Sequence, residues 1–117
     1  MGRKVSDGRS VRVTVPASTT VEAGKFYLLD GFFGLAVQSV TTGASETAEV
    51  ILNCEQAEYE TSQITAADDF KKGDPVYWDD STKLLTTQTG SGNRFVGRVT
   101  QAKDANNVIW FVLGPQV

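Results

Sequence analysis

The stretch FKKGDPVYWDDSTKLLTTQTG, Phe70 to Gly90, decides the fold class. Pro75 to Asp79 and Leu84 to Thr87 are two short runs rich in aromatic, β-branched and threonine side chains, and Asp79-Asp-Ser-Thr-Lys83 between them has turn composition. The segment therefore reads as a β-hairpin. Tyr77 and Trp78 are neighbours in an extended strand, so they must point to opposite faces, which places at least one of them in a core. Asp74, Asp79 and Asp80 are the best candidate cluster for carboxylate chemistry. An acid/base enzyme would need two such groups about 5 to 9 Å apart across a cleft, whereas aspartates heading a turn commonly bond the backbone two residues on. The turn is the expected role.

Outward from the hairpin, strand-like patches recur with Gly, Asp, Asn and Ser clusters between them, the spacing of an all-β sandwich or barrel. The pattern predicts strands at Val11 to Val15, Lys25 to Leu29, Leu35 to Val40, Thr47 to Asn53, Tyr59 to Ile64, Pro75 to Asp79, Leu84 to Thr87, Phe95 to Gln101 and Val108 to Leu113. In Val11-Arg-Val-Thr-Val15 the valines face one way while Arg12 and Thr14 face the other, so one side is buried and one wet. Val108-Ile-Trp-Phe-Val-Leu113 is apolar on both faces, as expected of a central strand or of one covered by a neighbouring subunit. No long helix is expected. Thr65-Ala-Ala-Asp68 has the form of a capping box and allows at most one short helical turn. Thr41 to Thr47 and Gly90 to Asn93 read as loops.

With 117 residues the chain is long enough for one core. It contains no histidine and a single cysteine, Cys54. An internal disulfide is thereby excluded, as is any triad built on histidine, and zinc, haem or iron–sulfur ligation is not expected. Cys54 reads as a small buried apolar residue at a strand end. Gly24-Lys25 lacks the first glycine and the Ser/Thr of a phosphate loop, and Gly90-Ser-Gly92 lacks the third glycine of a dinucleotide site. Neither Asp79 to Lys83 nor Asp104 to Asn107 supplies a full calcium loop. The expected cofactor set is empty, with no catalytic and no metal-ligating residue.

The longest apolar run is interrupted by Asp30, Gly31, Gly34 and Gln38, far short of the roughly 20 residues a bilayer span requires, so no membrane association is expected. Nor does an apolar stretch follow the basic start, so a secretory leader is not expected. Net charge is −3, unevenly spread: Arg3, Lys4, Arg9 and Arg12 against Asp7 leave residues 1 to 12 at +3 and the remainder at −6. An acidic body with four basic residues at one end suits a protein partner and not nucleic acid. The first ten residues hold one β-branched apolar side chain, Val5, and cannot offset their own ordering entropy. The expected organisation is a basic arm, residues 1 to 10, followed by a single β domain, residues 11 to 117. A binding reading of the aromatics, in which Tyr77, Trp78 and Trp110 form a platform for a host-surface glycan, stands as the alternative function.

Gly73-Asp-Pro-Val-Tyr-Trp-Asp79, its turn and the threonine-rich strand after Lys83-Leu84 resemble the hairpin of the tailed-phage capsid decoration, or cement, proteins. Val11 to Val15 with Pro16-Ala17, Lys25-Phe-Tyr-Leu-Leu29, Phe33-Gly-Leu-Ala-Val37 and Phe95-Val-Gly-Arg-Val99 extend the resemblance over residues 8 to 114. It departs where GFFGLAV is more aromatic and Cys54 to Glu58 more acidic than the family pattern. The resemblance implies a small β-barrel or sandwich, β-tulip or β-clip-like, and a structural role with no enzymatic activity. It also implies a protein made in the host bacterial cytoplasm that binds, as a homotrimer, the major capsid protein on the outside of the expanded head. On that reading Arg3, Lys4, Arg9 and Arg12 form a capsid-binding arm, and Phe32, Phe33 and Trp110 are the candidates for contacts between subunits.

Overall fold

A computed structural model describes residues 2–90 and 92–116; Met1, Ser91 and Val117, the first residue of the expected arm among them, lie outside the described residues. The described residues form strands and no helix, an all-β protein as expected. The chain divides into two compact units, Met1–Glu55 and Gln56–Val117.

The first unit contains β1 (Ser10–Val15), β2 (Thr20–Val21), β3 (Phe26–Leu29), β4 (Phe32–Ala36), β5 (Val40–Thr41) and β6 (Ala48–Asn53). Four of them make an antiparallel sheet in the order β1-β6-β4-β3, and β2 pairs with β5 in a separate two-stranded ribbon. The valine alternation of β1 sets its register: Val13 lies opposite Val50 and Val11 opposite Leu52. Val13, Val15, Val21, Ala36, Val50, Leu52 and Cys54 form one buried cluster, with Val11, Tyr27, Leu29, Phe32 and Val40 packed on it. Fully burying side chains of this size contributes about 1.5–3 kcal/mol each. Thr42, although buried, is satisfied: its hydroxyl donates to the Pro16 carbonyl at 2.6 Å and accepts the Thr19 N–H at 2.9 Å, tying the ribbon to the end of β1.

β4 begins three residues before the expected strand and ends before Val40. Asp30 and Gly31 have φ of 51° and 82°, so they close a two-residue turn of the primed type, whose twist matches the flanking strands. The Asp30 carboxylate also accepts the Thr14 N–H at 2.7 Å. Val37 still donates to the Ile51 carbonyl of β6 at 3.3 Å; beyond it the chain leaves the sheet, and Val40 pairs with Val21. Cys54 is 4% exposed, and its N–H donates to the Arg9 carbonyl at 2.7 Å.

The second unit holds β7 (Glu58–Thr61), β8 (Pro75–Asp79), β9 (Leu84–Thr86), β10 (Arg94–Gln101) and β11 (Ile109–Leu113), antiparallel throughout in the order β7-β11-β10-β8-β9. Ile109, Phe111 and Leu113 are buried while Trp110 and Val112 face outward, so β11 is an interior strand with one apolar face left open. The Thr65 to Asp68 segment is a turn closed by the Asp68 N–H on the Thr65 carbonyl at 3.0 Å. The expected capping box does not form there, because the Asp68 carboxylate accepts from the Thr86 hydroxyl and, at 3.1 Å, from the Thr87 N–H.

β10 departs from simple alternation. Its register shifts against β8 between Phe95 and Gly97, and against β11 between Val99 and Gln101. The first bulge makes Val96 and Gly97 consecutive buried positions, which puts Phe95 and Arg98 on the outer side and Val96 and Val99 in the core. Gly97 is required by close approach: a Cβ there would stand 2.1 Å from the Val112 carbonyl oxygen, whereas one at Gly114 would meet nothing nearer than 3.5 Å. Gly97→Ala is therefore expected to lose about 1–3 kcal/mol in chemical denaturation by overpacking, with Gly114→Ala nearly neutral. Equal stability of the two variants would contradict the stated origin of the β10–β11 contact.

Candidate functional site

Gly2 to Arg9 form no strand and are exposed along their whole length; Val5 is 88% exposed. Lys4 pairs with Asp7 at 2.5 Å, and the Gly8 N–H donates to the Ser6 hydroxyl. Exposed pairs of this kind contribute at most about 1 kcal/mol. The four basic residues do not share one cluster. Arg3 and Lys4 lie in the exposed segment, and Arg9 stands at the mouth of the first sheet. Arg12 is on the outward side of β1, with its guanidinium 3.9 Å from Glu49. Arg12, Gln38, Glu49, Val50 and Ile51 line a shallow groove on that sheet.

In the second unit the outer face of the five-stranded sheet carries a continuous polar-aromatic surface. Tyr77 lies opposite Phe95 with ring centroids 5.7 Å apart, and the Arg98 guanidinium sits 5.9 Å from the Phe95 centroid while donating to the Gly73 carbonyl. This stacking is a product of the β10 bulge, since strict alternation would have sent Phe95 and Arg98 to opposite sides. Val112 is opposite both Arg98 and Glu58, and Trp110 is opposite Glu60. Phe95, Trp110 and Val112 are 49%, 37% and 39% exposed. The Trp110 indole N–H donates to the Glu60 carboxylate at 3.1 Å. Glu58, Tyr59, Glu60 and Trp110 line a groove along this edge, where β7 ends the sheet. Among the described residues neither glutamate has an ion-pair partner.

The candidates for subunit contact fare differently. Phe33 is completely buried and stacks on Phe26 at 5.4 Å with rings 8° from parallel, so its ring is core and presents no surface to a neighbour. Phe32 is half-buried against the valine cluster, and Trp110 keeps an open face. The aromatic platform narrows in the same way: Trp78 is buried, leaving Tyr77 and Trp110. Sequence reasoning missed Phe95 and Arg98, because the bulge that gathers them has no local signal beyond Gly97, and it missed Glu60, because only the β7–β11 register sets it opposite Trp110.

The hairpin carboxylates are committed to the turn. Asp79 accepts the Ser81 N–H at 3.0 Å and its hydroxyl at 2.6 Å, and these bonds, the hydroxyl's first, hold its pKa below the usual carboxylate value. Partial burial of Asp80 opposes its ionisation most strongly of any single influence. Hydrogen bonds from Lys83 at 2.7 Å and the Trp78 indole at 3.0 Å, with the Lys83 charge, together outweigh it, so its pKa is lowered as well. Lys83 itself takes φ of 59° to close the turn. Asp74 accepts the Lys71 N–H at 3.0 Å, and Asp104 accepts those of Asn106 and Val108 at 2.8 and 3.0 Å. Among the described residues no three His, Cys, Asp or Glu side chains converge to hold a metal ion.

Residues 5–114 match the family model described as phage cement protein. No curated protein and no solved structure matches the chain.

Because the folded-state pKa values of Asp79 and Asp80 are depressed, their stabilising contribution is present above the unfolded carboxylate range, near pH 4, and is lost as pH falls through the lower folded values. Thermal unfolding followed from pH 6 downward should show a loss of stability in that window. Asp79→Asn with Asp80→Asn should lower the midpoint at pH 6 and flatten the acid limb. An unchanged limb would assign the pH response elsewhere.

Proposed function

The chain belongs to the phage cement protein family, and from that premise we propose that it binds the outside of the expanded head and holds the shell in that state. The family's role is structural, capsid stabilisation, and its place is the capsid of the virion. The observation that carries the reading is the extent of the match, which takes in both compact units and part of the basic arm.

The physical task of a cement is selective binding. A protein that binds one lattice state and not its alternative stabilises the bound state by an amount set by concentration and affinity, with no chemical step. Each contact can be weak when one assembly touches several shell subunits, since the second contact forms at high effective concentration. We assign the partner as the major capsid protein and the assembly on it as a homotrimer, made in the host bacterial cytoplasm before it joins the head. The basic arm supplies the charged approach to an acidic edge of the shell, and extended backbone can add main-chain hydrogen bonds there.

Purified protein added to expanded heads that lack it should be retained on sedimentation and should raise their resistance to heat; no retention at any salt concentration would overturn the proposal. Deleting residues 2 to 8, which spares the Arg9 carbonyl that accepts from Cys54, should leave the thermal midpoint of the free protein unchanged and weaken retention on heads by on the order of tenfold or more. A truncated protein that unfolds, or one retained as well as the full chain, would remove the arm from the mechanism.

A further inference from the structure

The groove on the β7 edge and the arm are complementary in charge and in apolar character. The groove offers two glutamates without ion-pair partners among the described residues and the open face of Trp110. The arm offers Arg3, which likewise has no ion-pair partner among the described residues, and Val5, whose side chain is almost wholly in water. In the free chain the segment is turned by the Lys4–Asp7 pair; laid out as a strand against β7 it would place Arg3 and Val5 on one side and Lys4 on the other. A guanidinium between carboxylates and an indole face combines charge-assisted hydrogen bonding with cation–π attraction, and an isopropyl group beside it covers apolar ring surface. We infer that the Glu58, Glu60 and Trp110 groove is the docking site for the arm tip of a second copy of this chain, received alongside the terminal strand β7.

The reach is sufficient. Gly2 to Arg9 span up to roughly 26 Å when extended, about the width of a small domain, and β7 is the end of its sheet, the place where a further strand adds. The body outside residues 1 to 12 carries −6, so copies repel one another except where a cationic segment meets an acidic one. Docking of this kind is heterologous: arm to groove, then arm to the next groove, closing into a ring or continuing from copy to copy. The inference rests on the cement reading and deepens it: Arg3 serves a neighbouring copy, and Lys4, Arg9 and Arg12 are left for the shell. Residues 2 to 8 then support retention on heads through the linkage between copies as well as through shell contact.

The test needs no capsid. Sedimentation equilibrium of the full chain across a concentration range at low salt should show self-association that high salt weakens. Arg3→Glu alone, and Glu58→Lys with Glu60→Lys alone, should each lower the association constant by on the order of tenfold. Mixing those two variants should restore a heterotypic complex, and Val5→Ser should weaken association in the wild-type background. Circular dichroism of each variant checks folding, and the restored complex distinguishes lost contact from lost structure. A protein monomeric at every concentration would overturn the inference, as would association indifferent to the charge reversals. So would variants that change stability at constant mass, the mark of docking within one copy, or Trp110 fluorescence quenched by a glycan panel with mass unaffected. Failure here with heads still retaining the protein leaves the cement role standing; the opposite pair of results would sink the role and keep the contact.

Discussion

A buried indole needs somewhere to put its N–H. In the second unit Trp78 is the largest buried side chain, and it can be buried because its indole N–H donates a hydrogen bond of 3.0 Å to Asp80, two residues later. Asp80 in turn stays ionised because Lys83 reaches back from the far side of the same turn. Indole, carboxylate and ammonium thus fix one another over six residues, and the strands they join supply Val76 and Leu85 to the core. β9 is tied from outside the hairpin: Leu85 exchanges backbone bonds with Gln63 and Thr65, and the Asp68 carboxylate accepts from the Thr86 hydroxyl. The polar demands of the turn itself are met locally.

That local closure explains what was legible in the sequence. Where alternation was strict, as in β1 and β6, strand, face and register all follow from the valine pattern. The hairpin from Pro75 to Thr86 was legible for the same reason, with turn chemistry doing what Asp-Asp-Ser-Thr-Lys suggests. Asp30-Gly31 carried an equally strong signal for a two-residue turn, but the aromatic run after it blurs the strand onset, and β4 starts earlier than hydrophobicity alone indicates. β2 and β5 have two residues each, below the length at which any periodicity exists.

The candidate site was less legible, because it is assembled by register and not by neighbours in sequence. Val108 to Leu113 showed from composition that both faces are apolar, and the open one does carry Trp110 and Val112. What joins them to Phe95 and Arg98 is a one-residue shift in β10, and a bulge leaves little trace in a string of letters. Phe33 shows the converse. Adjacent phenylalanines at 32 and 33 look alike, yet alternation sends one into a stack on Phe26 and leaves the other at the margin of the valine cluster.

The lone thiol has a quieter consequence. Cys54 sits within the first unit's cluster, its amide held by the Arg9 carbonyl, with only a few per cent of its surface in water. Thiolate chemistry needs ionisation and access, and burial among valines and leucine denies both. Air oxidation and accidental cross-linking between molecules packed shoulder to shoulder therefore find nothing to act on, and the sulfur becomes a reporter that alkylating reagents reach only when β1 and β6 part.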